Sequence, residues 1–238
     1  MKGVLVLTFL FFLPIPYSLA GKKALYWDDT ETLGKGKYQV ENYLFYTKEK
    51  DGKKGSYIFN LTYGLSPRID IALNVPVGYL KVYGNTYSDM ADPFFELKYK
   101  FYKKKELSFA IKPYFSIPFN KHSQFSEGNV SYGITLVSQL EHDKLTFYAN
   151  SSYMVHKDRP LGKNELFQSL SFEYSITDSF SMISSLYVSS YKGTEKGGLV
   201  GIGYSKGKVE LGSGIGKIFS SKNDFTIYWG LTYRLYDP

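Results

Sequence analysis

Apolar and polar residues alternate with a period of two through most of the chain after Tyr38. In the last such run, 224–235, the two classes fall on opposite sides of an extended strand, whereas a helix would mix them. One side carries Phe225, Ile227, Trp229, Leu231, Tyr233 and Leu235, and the other carries Thr226, Tyr228, Gly230, Thr232 and Arg234. This alternation predicts an all-β protein.

The number and the length of these runs constrain the architecture further. Twelve runs lie at 38–47, 56–65, 68–81, 91–103, 105–118, 129–141, 143–155, 164–176, 179–191, 197–206, 207–219 and 223–236. Most are near the roughly 9–11 residues that a tilted strand needs to cross a bilayer, and longer than the about five or six usual in soluble sheets. An even number of antiparallel strands closes into a barrel with both termini at one end. We therefore predict a closed antiparallel transmembrane β-barrel of about 12 strands.

Longer and shorter connections alternate between these runs. The longer ones lie at 48–55, 82–90, 118–128, 156–163 and 192–196, and the tight ones at 66–67, 104–105, 142–143, 177–178 and 206–207. Outer-membrane barrels show this asymmetry, with short turns on the periplasmic side and longer loops outside. A soluble sandwich has no reason to alternate its loop lengths in this way.

The first twenty residues form a separate unit. A lysine at position 2 precedes an apolar core at 4–13, and Ser18-Leu19-Ala20 provides a small-x-small cleavage site. These features are typical of a cleaved secretory signal peptide, and two prolines argue against the alternative of an uncleaved anchor helix. We therefore predict a signal peptide at 1–20, a periplasmic N-terminal segment at 21–37 and a transmembrane barrel at 38–236, exported to the outer membrane.

Composition excludes several other classes of protein. The chain has no cysteine, which rules out disulfide frameworks, thiolate metal sites and cysteine nucleophiles. The formal net charge is +7, but the lysine clusters at 48–54 and 103–105 lie in or beside predicted connections rather than along one strand face. We expect these lysines to face solvent or lipopolysaccharide, and we predict no nucleic-acid partner.

The charged residues of the runs share one face, and the apolar residues share the other. The alternation alone does not say which face points inward, and a soluble lipocalin-like barrel would enclose the apolar one. The signal peptide, the strand length and aromatic residues near the run ends favour an apolar exterior against lipid. The residues then predicted to line the lumen are Glu41, Asp70, Glu96, Lys98, Lys100, Lys112, Glu141, Glu173, Glu210 and Arg234.

Two interpretations of this charged lumen remain open. The side chains can pair with one another and fill a narrow interior, as in many small barrels. Alternatively, opposite charges form a transverse field at a constriction that selects solutes by size and polarity. Asp70, Glu96, Lys98 and Lys112 lie on adjacent predicted strands and are the first candidates for such a constriction.

Three segments resemble a family of outer-membrane transporters named for the meta-pathway of phenol degradation. Residues 32–41 resemble its opening, where a Gly-x-Gly segment runs into a strand with a glutamate, and 61–70 resemble its second hairpin, with a Tyr-Gly-Leu turn. Residues 89–101 resemble the segment before its lysine-bearing strand, although methionine and alanine replace the family's glycines. The resemblance covers about residues 30–120 and implies an outer-membrane barrel that passes small, often hydrophobic, organic molecules.

Motifs for chemistry are weak in this sequence. Residues 212–217 superficially resemble a phosphate-binding loop, but the glycine spacing is wrong and Ile218 stands where Ser or Thr is required. His122, His142 and His156 all fall in predicted connections at different ends of the barrel. We therefore predict neither a metal site nor a cofactor nor an enzyme. The enzymatic alternative is a barrel lipid hydrolase, which needs a serine and a histidine close together in the fold.

Three acidic residues precede the first strand. Asp28, Asp29 and Glu31 could hold Ca²⁺ by their charge, but a solvated N-terminal segment is the expected state.

Together these features predict an outer-membrane channel for the passive passage of small solutes, hydrophobic or aromatic ones among them. The alternative is a non-transporting structural or adhesive barrel. Predicted partners are outer-membrane lipid and lipopolysaccharide, a small-molecule solute, and the barrel-assembly machinery, which recognises aromatic closing strands such as 226–236.

Overall fold

The structure is a computed structural model in which residues 28–48, 52–120, 123–126, 128–156, 164–190, 194–219 and 224–236 are described. The predicted signal peptide at 1–20 lies outside these residues, and within them no helix is long and apolar enough to span a membrane. The strands are β1 (Tyr38–Lys48), β2 (Gly52–Ser66), β3 (Ile69–Val82), β4 (Asn85–Met90), β5 (Phe94–Lys104), β6 (Leu107–Ser116), β7 (Ser131–His142), β8 (Leu145–His156), β9 (Glu165–Ser175), β10 (Phe180–Ser189), β11 (Glu195–Lys206), β12 (Val209–Ile218) and β13 (Phe225–Arg234).

All of the strands except β4 form a closed antiparallel barrel of twelve. From β5 to β13 each strand pairs with the next, β13 pairs with β1, and the pairings β1–β2, β2–β3 and β3–β5 complete the ring. Each barrel strand thus has two neighbours, so the backbone N–H and C=O groups of the wall can pair around the whole circumference. The predicted all-β fold, its closure and its number of strands are confirmed.

The strand β4 corrects one detail of the prediction, which placed a long connection at 82–90. Instead, the chain turns at Tyr83 and Gly84, both at positive φ, and β4 pairs with the distal half of β3. It lies end to end with β5 along β3, because Val77 pairs with Met90 and Asn74 with Phe94. Most of β4 is exposed on both faces, so it lacks the alternation that marks the other strands.

The two ends of the barrel differ in their connections. Tight turns such as 105–106 and 143–144 join strands at the end where β1 begins and β13 finishes, which we call the turn end. Longer connections, including 117–130, join strands at the opposite end, which we call the loop end.

The orientation of the two faces agrees with the prediction. Outward apolar residues such as Leu97 and Leu170 are 37% and 58% exposed, the state expected of side chains that meet lipid. The predicted lumen residues all point inward: eight are buried, and Lys100 and Glu141 are half-buried.

The middle of the interior is less polar than the sequence predicts. Seven buried side chains form an apolar cluster inside the barrel, namely Tyr43, Phe45, Ile58, Tyr148, Ile183, Leu199 and Tyr228. The run of β1 has apolar residues on both faces, because Leu44 points to lipid while Tyr43 and Phe45 point inward. Glycines make room for these rings: a Cβ at Gly230 would lie 2.0 Å from the Tyr228 hydroxyl.

Candidate functional site in the barrel lumen

The N-terminal segment (28–37) enters the lumen from the turn end. Asp28, Asp29 and Thr30 are each at most 5% exposed, although no strand contains them. The expectation of a solvated acidic segment is therefore wrong for these residues. The sequence offered one signal for their position, since three acidic residues precede β1 and three inward lysines lie on β5 and β6.

Carboxylates of the segment are paired with lysines that line the lumen. Asp28 forms ion pairs with Lys98, at 3.0 Å, and with Lys112, and Asp29 contacts Lys98 at 3.2 Å. Both lysine side chains are at most 8% exposed. Buried charges require partners of this kind because an isolated charge in a poorly solvated interior is costly.

Hydrogen bonds and a further pair of salt bridges extend this anchoring. The Thr30 N–H donates to Gln139 Oε1 at 2.9 Å, and its hydroxyl contacts Ser108. Glu31 pairs with Lys100 and with Lys103, both at 3.0 Å. Burial alone would raise the pKa of Glu31, but the hydrogen bonds and charges of these two lysines outweigh it and lower that pKa below its ordinary value of 4.5.

Two of the segments that resemble the transporter family, 32–41 and 61–70, contact each other where the N-terminal segment turns into β1. Gly34 and Gly36 both have positive φ, and the Lys37 N–H closes the turn on the Gly34 carbonyl at 3.3 Å. Gly36 and Lys37 then exchange backbone hydrogen bonds with Gly64, at 2.8 and 2.9 Å. A Cβ at Gly64 would lie 1.9 Å from the Gly34 carbonyl oxygen, so only glycine admits the segment here.

Asp70 binds the segment directly before this turn. Its two carboxylate oxygens accept the Leu33 N–H at 3.0 and 3.2 Å. Asp70 pairs with Lys98 in the ladder between β3 and β5, so the backbone anchor and the ionic anchor are neighbours on adjacent strands.

A chain of side-chain hydrogen bonds runs across four neighbouring strands and ends at Lys112, which pairs with Asp28. Thr62 donates to Asn60 at 2.8 Å, Asn60 to Asn74 at 2.8 Å, and Asn74 to Glu96 at 2.9 Å. Glu96 in turn pairs with Lys112 at 2.9 Å. The chain links β2, β3, β5 and β6 and fixes the position of the Lys112 ammonium group that receives Asp28. We call the part formed by β5 and β6, with Lys98, Lys100 and Lys112, the lysine wall.

The facing side of the lumen is acidic. Glu210 on β12 and Glu41 on β1 both pair with Thr232 of β13 in the ladder, and we call this part the glutamate wall. Its strand β12 lies opposite the lysine wall, because β12 and β6 are six strands apart in a ring of twelve, whereas β1 is three strands from β5. Glu210 forms an ion pair with Arg234.

A cavity of about 270 Å³ lies at the turn end of the lumen. The N-terminal segment, the lysine wall and the glutamate wall all contribute to its lining. Of the predicted lumen residues, six lie around this cavity or its lining segment: Glu41, Asp70, Glu96, Lys98, Lys112 and Arg234. Lys100 reaches the segment through Glu31.

The other predicted residues lie apart from that cavity. Glu173 and Glu210 line a second cavity of about 120 Å³, where the Tyr148 hydroxyl donates to Glu173 at 3.0 Å. Glu141 accepts a hydrogen bond from Gln139, the residue that also holds Thr30.

A loop also folds inward at the loop end. The Phe125 ring lies on Gly78, where a Cβ would be only 2.0 Å from the ring. The connection before it is held by Phe119, whose N–H donates to Asp92 at 3.2 Å, and by Asn120, which donates to Asp89 at 3.1 Å. Polypeptide therefore narrows the lumen at both of its ends.

The two histidines among the described residues, His142 and His156, lie at strand ends rather than in connections, which corrects that part of the prediction. His142 is the last residue of β7 and His156 is the last residue of β8, while His122 lies outside the described residues. The exposed His142 ring lies near Glu106 at 3.6 Å and Asp143 at 4.0 Å.

Comparisons with solved structures agree with this architecture. The COG4313 outer membrane channel from Pseudomonas putida F1 superposes with a TM-score of 0.70 at 14% identity, over 87% of this chain and 98% of the other. The NanC porin gives 0.63 at 10% identity, over 82% and 100% of the two chains. The KdgM porin in complex with disordered oligogalacturonate gives 0.59 at 10% identity, over 83% and 99%. At these identities the likeness concerns the fold.

Sequence comparison identifies the family directly. No curated protein matches the chain. A family described as "Putative MetA-pathway of phenol degradation" matches residues 27–234, a span that includes the buried aspartates, both glycine motifs and every barrel strand. The chain belongs to this family.

Proposed function

We propose that this protein is an outer-membrane channel through which small solutes pass passively. The observation that carries this proposal is a closed barrel whose exterior is apolar and whose interior is lined by charged and polar side chains. Such a wall satisfies its backbone in lipid and provides a polar path across it. The related folds named as channels and porins support the same function and the same location in the membrane.

The constriction lies where the N-terminal segment meets the lysine wall. Lys98, Lys100 and Lys112 form its basic side, and Asp70, Glu96 and the carboxylates of the segment lie among these lysines. The side formed by Glu41 and Arg234 faces them across the cavity, and Glu141 and Glu173 continue the charged lining. Opposite charges on facing walls create a transverse field that acts on polar solutes. Solute flow requires the N-terminal segment to shift within the lumen, because it occupies this space.

The composition of the interior supports small organic solutes. The apolar cluster around Tyr43 and Tyr228 lies between the charged turn end and the loop end. It offers aromatic surface to a hydrophobic or aromatic molecule that has passed the charged region. On the exterior, outer-membrane lipid and lipopolysaccharide meet the exposed apolar face, and the barrel-assembly machinery recognises the closing strand β13.

Single-channel recording in planar bilayers tests the channel function. We expect the folded wild-type protein to give reproducible current steps, and Lys98→Glu or Lys112→Glu to change the cation-to-anion permeability ratio. Lys144→Glu, which makes the same charge change at an exposed turn outside the lumen, is the matched control and keeps the wild-type ratio. Silence of a folded preparation would instead favour a structural or adhesive barrel.

A further inference from the structure

Two buried acceptors on β1, in the glutamate wall, have no hydrogen-bond partner among the described residues. They are Gln39 Oε1 and Glu41 Oε2. Gln39 is 4% exposed and Glu41 is fully buried, and the two side chains point the same way because they are two residues apart on β1. Both line the cavity of about 270 Å³.

Other charged groups of this cavity already have partners. Asp29 is held by Lys98, Glu31 by Lys100 and Lys103, and Arg234 by Glu210. Glu41 differs from them: its other oxygen, Oε1, accepts a long hydrogen bond from Thr232, at 3.3 Å, and the Tyr43 hydroxyl is within hydrogen-bond reach of the carboxyl group. No basic side chain of the described ranges lies within ion-pair distance of it.

Unpartnered buried acceptors are rare and costly, because they lose water without gaining a donor. A molecule that satisfied both of them would have to donate at least two hydrogen bonds. A positive charge would also balance the carboxylate. A primary ammonium group meets both requirements with its three N–H donors, whereas two protein oxygens are too few for the about six to eight that Ca²⁺ takes.

Aromatic rings beside these acceptors favour a cation with an organic substituent. Tyr43 follows Glu41 on the same face of β1, and it lines the second cavity together with Tyr228 and Glu210. Glu210 Oε2 is a third unpartnered acceptor, and Glu210 and Glu41 flank Thr232 on adjacent strands. Carboxylates next to tyrosine rings suit organic cations, because both the charge and the ring faces attract them.

We infer that the glutamate wall binds the ammonium group of a small organic amine, which donates to Glu41 Oε2 and Gln39 Oε1. This inference rests on the proposed channel function, and it names the chemical class of solute that the lumen prefers. The 270 Å³ cavity is close to the roughly 300 Å³ at which small-molecule sites begin.

Thermal unfolding of the purified, folded protein with three matched probes tests the site. Benzylammonium, benzyl alcohol and benzoate share one ring and differ in the charge of the substituent. We expect benzylammonium alone to raise the unfolding temperature with a saturable dependence on concentration, since a ligand that binds only the folded state stabilises it. Equal effects of the three probes would overturn the inference.

Variants connect this binding to the named atoms. Glu41→Gln removes the charge and turns an N–H donor toward the ammonium group, so we expect about tenfold weaker binding of benzylammonium. Gln39→Leu removes one acceptor, and we expect a smaller loss. Glu165→Gln is the matched control, because Glu165 is a buried inward carboxylate near the loop end, held by Ser189 at 2.7 Å. Unchanged binding in Glu41→Gln, or an equal loss in Glu165→Gln, would overturn the inference.

Conduction distinguishes this inference from the function on which it rests. If the wild-type protein conducts ions but shows no binding of benzylammonium, the amine site is wrong and the channel stands. If benzylammonium binds and Glu41→Gln weakens it while bilayers stay silent, the site stands and the channel function is wrong.

Discussion

The lysine wall and the glutamate wall of the lumen use their charged groups in opposite ways. On the lysine wall, Lys98 and Lys112 each contact carboxylates of the chain itself, and hydrogen bonds continue from Glu96 through Asn74 to the next strands. On the glutamate wall, Glu41 and Glu210 each keep one buried oxygen without a donor among the described residues.

This difference separates two tasks within one barrel. The lysine wall holds the N-terminal segment, and its charges are satisfied by residues of the same chain. The glutamate wall contributes little to holding the segment. Its buried oxygens without donors can accept hydrogen bonds from a solute. Substitutions on the first wall should therefore change stability and the position of the segment, whereas substitutions on the second should change which solutes bind.

Removal of the ammonium group at the centre of the lysine wall gives the largest expected effect. Lys112→Met keeps most of the side-chain volume but leaves Asp28 and Glu96 buried without their shared cation. We expect unfolding in urea from lipid vesicles to show a loss of about 3–5 kcal/mol, the usual cost of breaking a buried pair from one side.

A second substitution tests whether the charge causes this loss. In the Lys112→Met background, Asp28→Asn removes one of the two carboxylates that have lost the Lys112 ammonium group, the one that Lys98 still contacts, so part of the stability should return. Independent, additive effects of the two changes would show that Asp28 and Lys112 are not coupled. Lys103→Met, at a lysine whose side chain is 46% exposed, should have little effect on unfolding.

The sequence could predict which charged side chains line the two walls, but not which groups these side chains pair with. A period of two places Lys98 and Leu97 on opposite faces of one strand, and the features of an outer-membrane barrel turn the apolar face outward. The period says nothing about residues 28–37, because a segment without regular backbone pairing has no periodicity to detect. The position of Asp28 depends on contacts with strands some 70 or more residues away in the chain.

The apolar cluster in the interior could not be predicted by dividing each strand into one apolar and one polar face. In β1 the alternation contrasts Tyr43 and Phe45 with Leu44 and Tyr46, so both faces are apolar and neither is marked as polar. The glycines that accommodate these rings were visible in the sequence, but which ring covers which glycine depends on the register between strands.

A smaller change than loss of the lysine would displace the segment without altering its charges. Gly64→Ala places a methyl group 1.9 Å from the Gly34 carbonyl oxygen, so the backbone at the turn must move. We expect docking of the segment to weaken by about 1–3 kcal/mol, the usual range for overpacking. A Leu33→Cys reporter measures this, because the chain has no native cysteine: its thiol should react faster with a maleimide when Gly64 is alanine.

The control for this substitution is another inward glycine with room for a side chain. At Gly212 a Cβ would meet its nearest atoms at 3.5 Å, an ordinary contact. Gly212→Ala should therefore leave the reactivity of the Leu33→Cys thiol unchanged. Equal labelling rates in the wild-type background and in Gly64→Ala would mean that the segment does not pack against Gly64.

Acid should weaken the docking of the segment less than Lys112→Met or Gly64→Ala does. The contact that responds is the one between Glu31 and the two lysines Lys100 and Lys103. Because Lys100 and Lys103 lower the pKa of Glu31, its carboxylate stabilises the docked segment fully above 4.5, the ordinary value. That contribution is lost as the pH falls through the lower value of the docked state. The pair is partly exposed, so the expected change is below about 1 kcal/mol. Labelling of Leu33→Cys should thus accelerate moderately below pH 4.5, measured with an acid-tolerant thiol reagent. With Glu31→Gln, the Leu33→Cys thiol should already be labelled at the faster rate near neutral pH, and the rate should depend less on acid. An identical pH profile with and without Glu31→Gln would exclude Glu31 as the group whose titration weakens docking.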